Sequence, residues 1–286
     1  MKPAPFDYQA PTTVADALKL LGSHEDARPI AGGQSLVPML AFRLARPSLL
    51  VDLNRIPSLA GIEEKGGVLR IGAMTRQAKV LTSDVVKRHA PLLVQALENV
   101  GHPPTRARGT IGGSCAHADP AAELPSAMVA LDATMVIAGA GGERRVRADD
   151  FFIGAFETAL QPGEILVALE LPEQQGGSAF LEVSARKGDF GIITVAARIA
   201  VKDGRCFDAA LVLGGITERS VRCAEAERIL KEQGLSSEAI DAALAALPLD
   251  AVTMDSRSAS AAYRRRLIPE LCRRAIEAAL TSKVAL

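Results

Sequence analysis

The run Arg108-Gly109-Thr110-Ile111-Gly112-Gly113-Ser114-Cys115-Ala116-His117-Ala118-Asp119-Pro120-Ala121-Ala122-Glu123-Leu124-Pro125 packs glycines, hydroxyls, two acids and a histidine into one stretch. It reads as an irregular segment whose polar groups need internal partners, which a phosphorylated, polyhydroxylated ligand would supply. About eighty residues upstream stands a second glycine pair, in Ala31-Gly32-Gly33-Gln34-Ser35-Leu36. There the paired glycines allow backbone amides to approach a phosphate closely, and Ser35 adds a hydroxyl. A Gly-Gly turn between strand and helix is more often structural when it stands alone, so the two segments carry weight together. Neither has the G-x-G-x-x-G spacing of a doubly wound dinucleotide site, and neither is followed by the Lys-Ser or Lys-Thr of a P-loop.

Outward from these segments the pattern mixes helices and strands. Thr13 and Asp16 mark a helix start, with Val14, Ala17, Leu18 and Leu21 at helical spacing until Gly22. A second helix is expected from Pro38 to Leu44 and a third around Ala90 to Val100, followed by a turn at Pro103-Pro104. Leu49 to Leu53, Val68 to Ile71, Thr134 to Ala138 and Ile165 to Leu171 read as strands, as do Ile193 to Val201 and Ala209 to Leu213. Between these groups, Pro172 to Ser178 reads as a linker. The alanine-rich end reads as helical, with Ser236 and Ser258 as caps. Leu267, Leu271, Ile276 and Leu280 form an apolar face, and Pro269 should start or kink a segment.

Composition narrows the function. Lysine plus arginine equals aspartate plus glutamate at 33 each, so no broad basic field exists to collect nucleic acid or anionic membrane. Tryptophan is absent and aromatics make up 3%, which disfavours base-stacking platforms. No uninterrupted apolar stretch reaches about 18 residues and the N-terminus has no secretory pattern, so a cytoplasmic protein without a membrane span is expected. Cys115, Cys206, Cys223 and Cys272 lie far apart, and none forms the close pair that zinc or iron–sulfur ligation uses.

The two glycine segments carry a resemblance to a known family. The sequence resembles the FAD-binding medium subunits of molybdenum hydroxylases, relatives of carbon monoxide dehydrogenase and of the flavin domain of xanthine oxidase. The likeness extends through Pro5-Phe6-Asp7-Tyr8, Val51-Asp52-Leu53-Asn54, Ile71-Gly72-Ala73, Asp150-Phe151-Phe152, Gly188-Asp189-Phe190, Leu213-Gly214-Gly215 and Tyr263-Arg264-Arg265. It implies an α+β fold. A two-lobed FAD-binding domain of the PCMH type would occupy residues 1–172, with lobes of about 1–58 and 59–172. A small α+β C-terminal domain of the carbon monoxide dehydrogenase flavoprotein type would occupy 178–286.

The resemblance further implies non-covalent FAD. Its pyrophosphate would lie on Ala31, Gly32, Gly33, Gln34, Ser35 and Leu36, and on Thr110, Ile111, Gly112, Gly113 and Ser114. Ala118, Asp119 and Glu123 would face the ribityl and flavin side, Ile165 and Leu166 the pyrimidine edge, and Phe190 the isoalloxazine ring. No catalytic residue and no metal ligand is expected in this chain. Molybdopterin would belong to a large partner subunit and iron–sulfur clusters to a small one, making a heterotrimeric oxidoreductase in which FAD hands electrons to an external acceptor. NAD, a quinone, a cytochrome and oxygen all remain open as that acceptor. The sequence departs from the family at His102-Pro103-Pro104-Thr105-Arg106-Ala107, and at Gly191, where alanine is frequent.

Other readings stand beside this one. A stand-alone flavin oxidoreductase acting on its own organic substrate would use the same loops, and a nucleotide-binding regulatory module would take ADP-like ligands as well as FAD. Cys115 or His117 could tether a flavin covalently, or simply pack and satisfy loop carbonyls. Asp119 and Glu123 could form an acid and base pair, or accept from cofactor hydroxyls. Arg264-Arg265-Arg266 with Arg273-Arg274 reads as a solvated face or a set of local ion pairs, or else as a subunit contact.

Overall fold

The computed structural model describes residues 2–282; residue 1 and residues 283–286, the outer ends of the two expected domains, lie outside the described residues. Thr13 caps the first helix, α1 (Val14–Ser23), accepting at Oγ1 from the Asp16 amide at 3.1 Å, and Ala17 and Leu21 point inward. They pack over a small parallel sheet in which β3 (Leu49–Asp52) lies between β1 (Asp7–Gln9) and β2 (Arg28–Ile30). The chain leaves β2 through the first glycine pair and enters α2 (Leu36–Ala41). This helix begins two residues before Pro38 and ends before Leu44. Proline is tolerated in a first turn, and Arg43 turns into left-handed backbone at φ 57° just beyond the end.

A five-stranded antiparallel sheet follows, ordered β4 (Ile62–Lys65), β5 (Val68–Gly72), β10 (Ile165–Pro172), β6 (Thr134–Gly139), β7 (Gly142–Arg147). Both faces are buried, because successive side chains in β6 and β10 go to opposite cores. Met135, Ile137, Leu169 and Leu171 pack toward the helices, while Val136, Ala138, Ile165 and Ala168 pack toward the small parallel sheet. A register shift between Leu166 and Ala168 lets the adjacent Val167 and Ala168 share that second face. The helical layer comprises α3 (Gln77–Thr82), α4 (Asp84–His89), α5 (Pro91–Asn99), α6 (Pro103–Arg108), α7 (Ile111–His117), α8 (Glu123–Ala130) and the short α9 (Ala148–Phe151). After α9 a small hairpin, β8 (Phe152–Gly154) with β9 (Glu157–Thr158), closes the layer.

The last sheet is antiparallel, β11 (Gly177–Ser184), β12 (Gly191–Lys202), β13 (Arg205–Gly214), β14 (Val221–Arg222) in that order. Helices α10 (Ala224–Gln233), α11 (Ser237–Ala245) and α12 (Ala261–Thr281) cover one face. The other face packs Phe180, Ala196, Ala210 and Val212 into the same core as α8. Every residue of α8 is buried, as a helix held between two sheets must be. Among the described residues no helix is long and apolar enough to cross a membrane.

Several local expectations need correction. The segment 108–125 is irregular only in part: it contains α7 and the first turn of α8, joined by a turn over 118–122 that Ala118 opens with a φ of 48°. Pro103 and Pro104 open α6 rather than a turn, since proline suits the first helical positions. Ser236 caps α11, but α12 is capped by Ser260, not Ser258, with Ser260 Oγ accepting from the Tyr263 amide at 3.2 Å. Pro269 lies inside α12, which runs on past it. The buried stripe of α12 is Ile268, Cys272, Ala275, Ile276 and Ala279, with Leu267 and Leu271 only flanking it and Leu280 exposed.

Within the arginine cluster Arg264 is not part of a solvated face. Arg264 is buried and donates to Ile192 O, to Gly215 O at 2.8 Å, to Met254 O at 3.0 Å and to Ser256 Oγ at 2.7 Å. Arg265 donates to Val252 O at 2.7 Å. Arg266 lies over the Tyr263 ring at 5.6 Å, while Arg273 pairs with Asp241 and Arg274 with Glu270. Arg264 thus gathers α12, the start of β12 and the turn after β13. Arg264→Met, which keeps the apolar stem and removes the donors, should lower unfolding stability by about 2–3 kcal/mol in urea titration. A loss below about 0.5 kcal/mol would show that solvent satisfies these carbonyls.

Candidate cofactor-binding cleft

Both glycine segments converge on one cleft of about 860 Å³. That is a usual size for a small-molecule or cofactor site, which spans about 300–1,000 Å³. Among the described residues, the amides of Gly33, Gln34, Ser35 and Leu36 find no acceptor in the protein. Gly33 adopts φ 73°, which turns this run of donors toward the cleft, and Ser35 makes no cap hydrogen bond with its hydroxyl. Four consecutive unpaired donors form a concave anion site of the kind that phosphate oxygens fill.

The second segment is built differently. Its amides are used inside the protein: Ile111 donates to Thr75 O at 3.1 Å, Gly112 to Ala73 O at 2.8 Å, Gly113 to Thr110 Oγ1 at 3.0 Å and Ser114 to Thr110 O at 3.2 Å. The glycines serve packing. A Cβ on Gly112 would overlap Ala73, and one on Gly32 would overlap the Arg108 carbonyl and stand 2.8 Å from Gly109 Cα. A Cβ on Gly113 would lie 3.4 Å from that of Ala31. The two segments are therefore pressed together backbone to backbone, and only the first presents free amides.

A polar brace, not identified from the sequence, locks them. Asn54 donates to Ala31 O at 2.8 Å, Arg76 donates to Asn54 Oδ1 at 2.6 Å and also to Arg108 O, and Asp52 accepts from Asn54 and from Tyr8. Partial burial beside Arg108 lowers the Arg76 pKa. Apart from the contact of Asp52 with Asn54, the brace joins residues 22 to 44 positions apart, so no local pattern announces it.

Of the residues expected at the site, Ala31 to Leu36, Thr110, Gly112, Gly113, Ser114, Asp119, Glu123, Ile165, Leu166 and Phe190 line the cleft. Ile111 and Ala118 do not; both point into the core, and Ala118 acts as the left-handed end of α7. The cleft also takes in residues the sequence reading passed over, notably Arg28, Arg46, Gln77, His102, Phe156 and Glu164. Gln77 is buried with Oε1 unpaired beside Gly109. His102 lies under Gly188, whose φ of 87° and lack of a side chain admit the ring. This contact ties the departing segment 102–107 to the loop that carries Phe190, a residue 61% exposed at the cleft mouth.

Electrostatics separate the candidate side chains. Burial pushes the Cys115 thiol up to about 12, and the side chain lies in the core, so it supplies no nucleophile to the cleft. Burial lowers the His117 pKa against a smaller opposing pull from Asp119, and its ring rests 5.1 Å from that of Phe156. Glu123 is pushed up to about 8, mainly by burial, with smaller repulsion from Glu182 and Asp119. It is thus a hydrogen-bond donor near neutral pH, not only an acceptor. Among the described residues no group of three or more His, Cys, Asp or Glu could hold a metal ion.

Fold and cleft define a flavoprotein of the molybdenum hydroxylases. Residues 4–174 match the FAD binding domain in molybdopterin dehydrogenase, and residues 178–279 match the CO dehydrogenase flavoprotein C-terminal domain. The chain belongs to this family of FAD-binding medium subunits and is an oxidoreductase component. It is similar to the 6-hydroxypseudooxynicotine dehydrogenase complex subunit alpha of Paenarthrobacter nicotinovorans, with 42% identity covering 98% of this chain and 96% of the relative. To the carbon monoxide dehydrogenase medium chain of Afipia carboxidovorans it is 37% identical over 98% of each. The solved carbon monoxide dehydrogenase from Hydrogenophaga pseudoflava superposes with a TM-score of 0.95 at 34% identity, covering 98% of both chains.

Proposed function

We propose that this chain binds FAD non-covalently in the cleft and works as the electron-transfer subunit of a heteromeric molybdenum hydroxylase. The four free amides of residues 33–36 carry the reading: they fit a pyrophosphate, and no group of the protein uses them. The hydroxyls of Ser35, Thr110 and Ser114 would complete that end. Asp119 and Glu123 would serve the ribityl and flavin side, Ile165 and Leu166 the pyrimidine edge, and Phe190 the ring. When bound, the flavin accepts electrons one or two at a time, while the protein binds, orients and shields it.

In this reading a large molybdopterin subunit oxidises the substrate and a small iron–sulfur subunit carries single electrons to this chain, which passes them to an external acceptor. The assembly works in the cytoplasm. The flavin domain ends near Pro172 and the C-terminal domain starts near Ser178, so that the cleft is walled by both. The test is the visible spectrum of the chain expressed with its partner subunits, before and after acid precipitation. Flavin bands that leave with the supernatant and iron–sulfur absorbance confined to the complex are expected. A colourless chain that takes up no FAD in either preparation would sink the proposal, and a substrate that bleaches the flavin without any partner would favour a stand-alone oxidoreductase.

A further inference from the structure

Glu123 and Glu182 reach one junction from different sheets and helices. Glu123 opens α8, and Glu182 lies on β11 opposite Thr194 of β12. Thr194 Oγ1 is 3.1 Å from Ser126 Oγ, and Ser126, one turn into α8, donates to the Glu123 carbonyl at 3.0 Å. Gly191 makes room for Glu182: a Cβ there would stand 3.3 Å from Glu182 Cγ. The glycine that departs from the family pattern therefore adjoins this junction.

Neither carboxyl group is neutralised by a cation. Glu123 is 4% exposed, lines the cleft, and among the described residues makes no ion pair and no hydrogen bond to another side chain, its own backbone amide alone favouring the charged form. Glu182 has Oε2 buried without a partner. Of the groups facing them, Asp119 adds repulsion and Ser184 offers Glu182 one hydrogen bond. Arg106 attracts Glu123 only weakly, since its Nη1 is held by Val100 O at 2.7 Å and Gly101 O at 3.0 Å. A buried and a half-buried carboxyl with no cation paired to either, the second adding repulsion at the first, favour keeping a proton. Burial moves Glu182 up to about 7, alongside Glu123 at about 8.

Iron–sulfur clusters deliver electrons without protons, whereas a flavin taking up two electrons also takes up at least one proton on a ring nitrogen. We propose that Glu123, with the Glu182 carboxyl disfavouring its charged form, holds a proton and delivers it to the cofactor as the electrons arrive. This rests on the FAD reading above. The carboxyl O–H bond breaks as a flavin N–H bond forms, the two electrons come from a one-electron iron–sulfur donor, and the Glu123 carboxylate regains its proton from solvent. Glu182 is a positioning residue, acting through Glu123 by raising its proton affinity.

The test uses the FAD-loaded complex. Infrared difference spectra should contain a carboxylic acid C=O band in the oxidised protein at neutral pH that is absent in Glu123→Gln. Glu182→Gln, which removes the repelling neighbour, should shift the loss of that band to lower pH. Mixing with dithionite should bleach the flavin about 100-fold more slowly in Glu123→Gln, with the solvent deuterium isotope effect lost. An absent band in the wild type, or an unchanged rate and isotope effect in an FAD-loaded Glu123→Gln complex, would overturn the proposal while leaving the FAD reading intact. Should Glu123→Gln fail to hold FAD, an unchanged band midpoint in Glu182→Gln would overturn it instead. A wild-type complex without flavin would defeat the FAD reading itself.

Discussion

Gly32→Ala is expected to weaken FAD binding by about 10- to 100-fold and to lower stability by about 1–3 kcal/mol. The added Cβ would overlap the Arg108 carbonyl oxygen and lie 2.8 Å from Gly109 Cα and 2.9 Å from Arg108 C. All three are backbone atoms, so no side-chain rotation relieves the clash. The segment must move, and the free amides of residues 33–36 move with it, away from the geometry that a pyrophosphate would require. Arg76 and Asn54, which clamp the Ala31 and Arg108 carbonyls, resist that motion and turn it into strain. Fluorescence titration with FAD and urea unfolding would measure both effects. Gly22→Ala is the control: an added Cβ there meets nothing within 4 Å, and the residue lies in α1. Alanine at that helical position should leave FAD affinity unchanged and raise stability by about 0.5–1 kcal/mol. Equal FAD affinity in the Gly32 and Gly22 variants would mean that the glycine contact does not shape the cleft.

Asp132→Asn should destabilise the protein by about 1–2 kcal/mol and loosen the C-terminal sheet from the flavin domain. Asp132 follows α8 in left-handed backbone at φ 50° and accepts from Arg198 Nη2 at 2.8 Å and Arg222 Nη1 at 2.5 Å. Arg198 is on β12 and Arg222 on β14, so one carboxylate holds two strands of the last sheet. Asparagine tolerates the same backbone conformation, which confines the change to charge. Asp132 is 31% exposed, and Arg198 retains Asp208 at 2.5 Å while Arg222 retains Glu227 at 3.1 Å, which places the cost below that of a fully buried pair. Because β12 follows the loop that carries Phe190, the same change should raise the proteolytic sensitivity of residues 186–190. Urea unfolding with separate probes on the two sheets would test it. A change under about 0.5 kcal/mol with coincident transitions would show that Asp208 and Glu227 suffice.

Local chemistry explains which parts of this structure were legible from the sequence. The cap at Thr13, the strands of the central and last sheets and the cap at Ser236 follow from short-range rules: spacing, branching and side-chain caps act within one turn or one pleat. The pairing of the two glycine segments was also legible, because few other residues permit such close backbone contact. The misreadings share one cause. Pro103-Pro104 and the stretch 108–125 look broken in isolation, yet the prolines take the first positions of α6, where no amide is needed, and the carbonyls of Ala73 and Thr75 accept the amides that open α7. The buried stripe of α12 runs through Ile268 and Cys272 rather than Leu267 and Leu271 because Arg264, one turn earlier, is anchored inward by carbonyls from three other segments.

The sequence by itself determined a mixed α/β protein with two sites of close backbone approach, composition unsuited to nucleic acid, and no close cysteine pair in the chain. Only the tertiary structure decided how those features act. It left the first glycine segment with free amides and used up those of the second, since hydrogen-bond satisfaction depends on what packs alongside. It joined Asn54 and Arg76 into a brace and gathered Arg198 and Arg222 on Asp132. It also brought Glu182 to Glu123 across a separation of about sixty residues, where burial, a property of the folded chain alone, changes what a carboxyl group does.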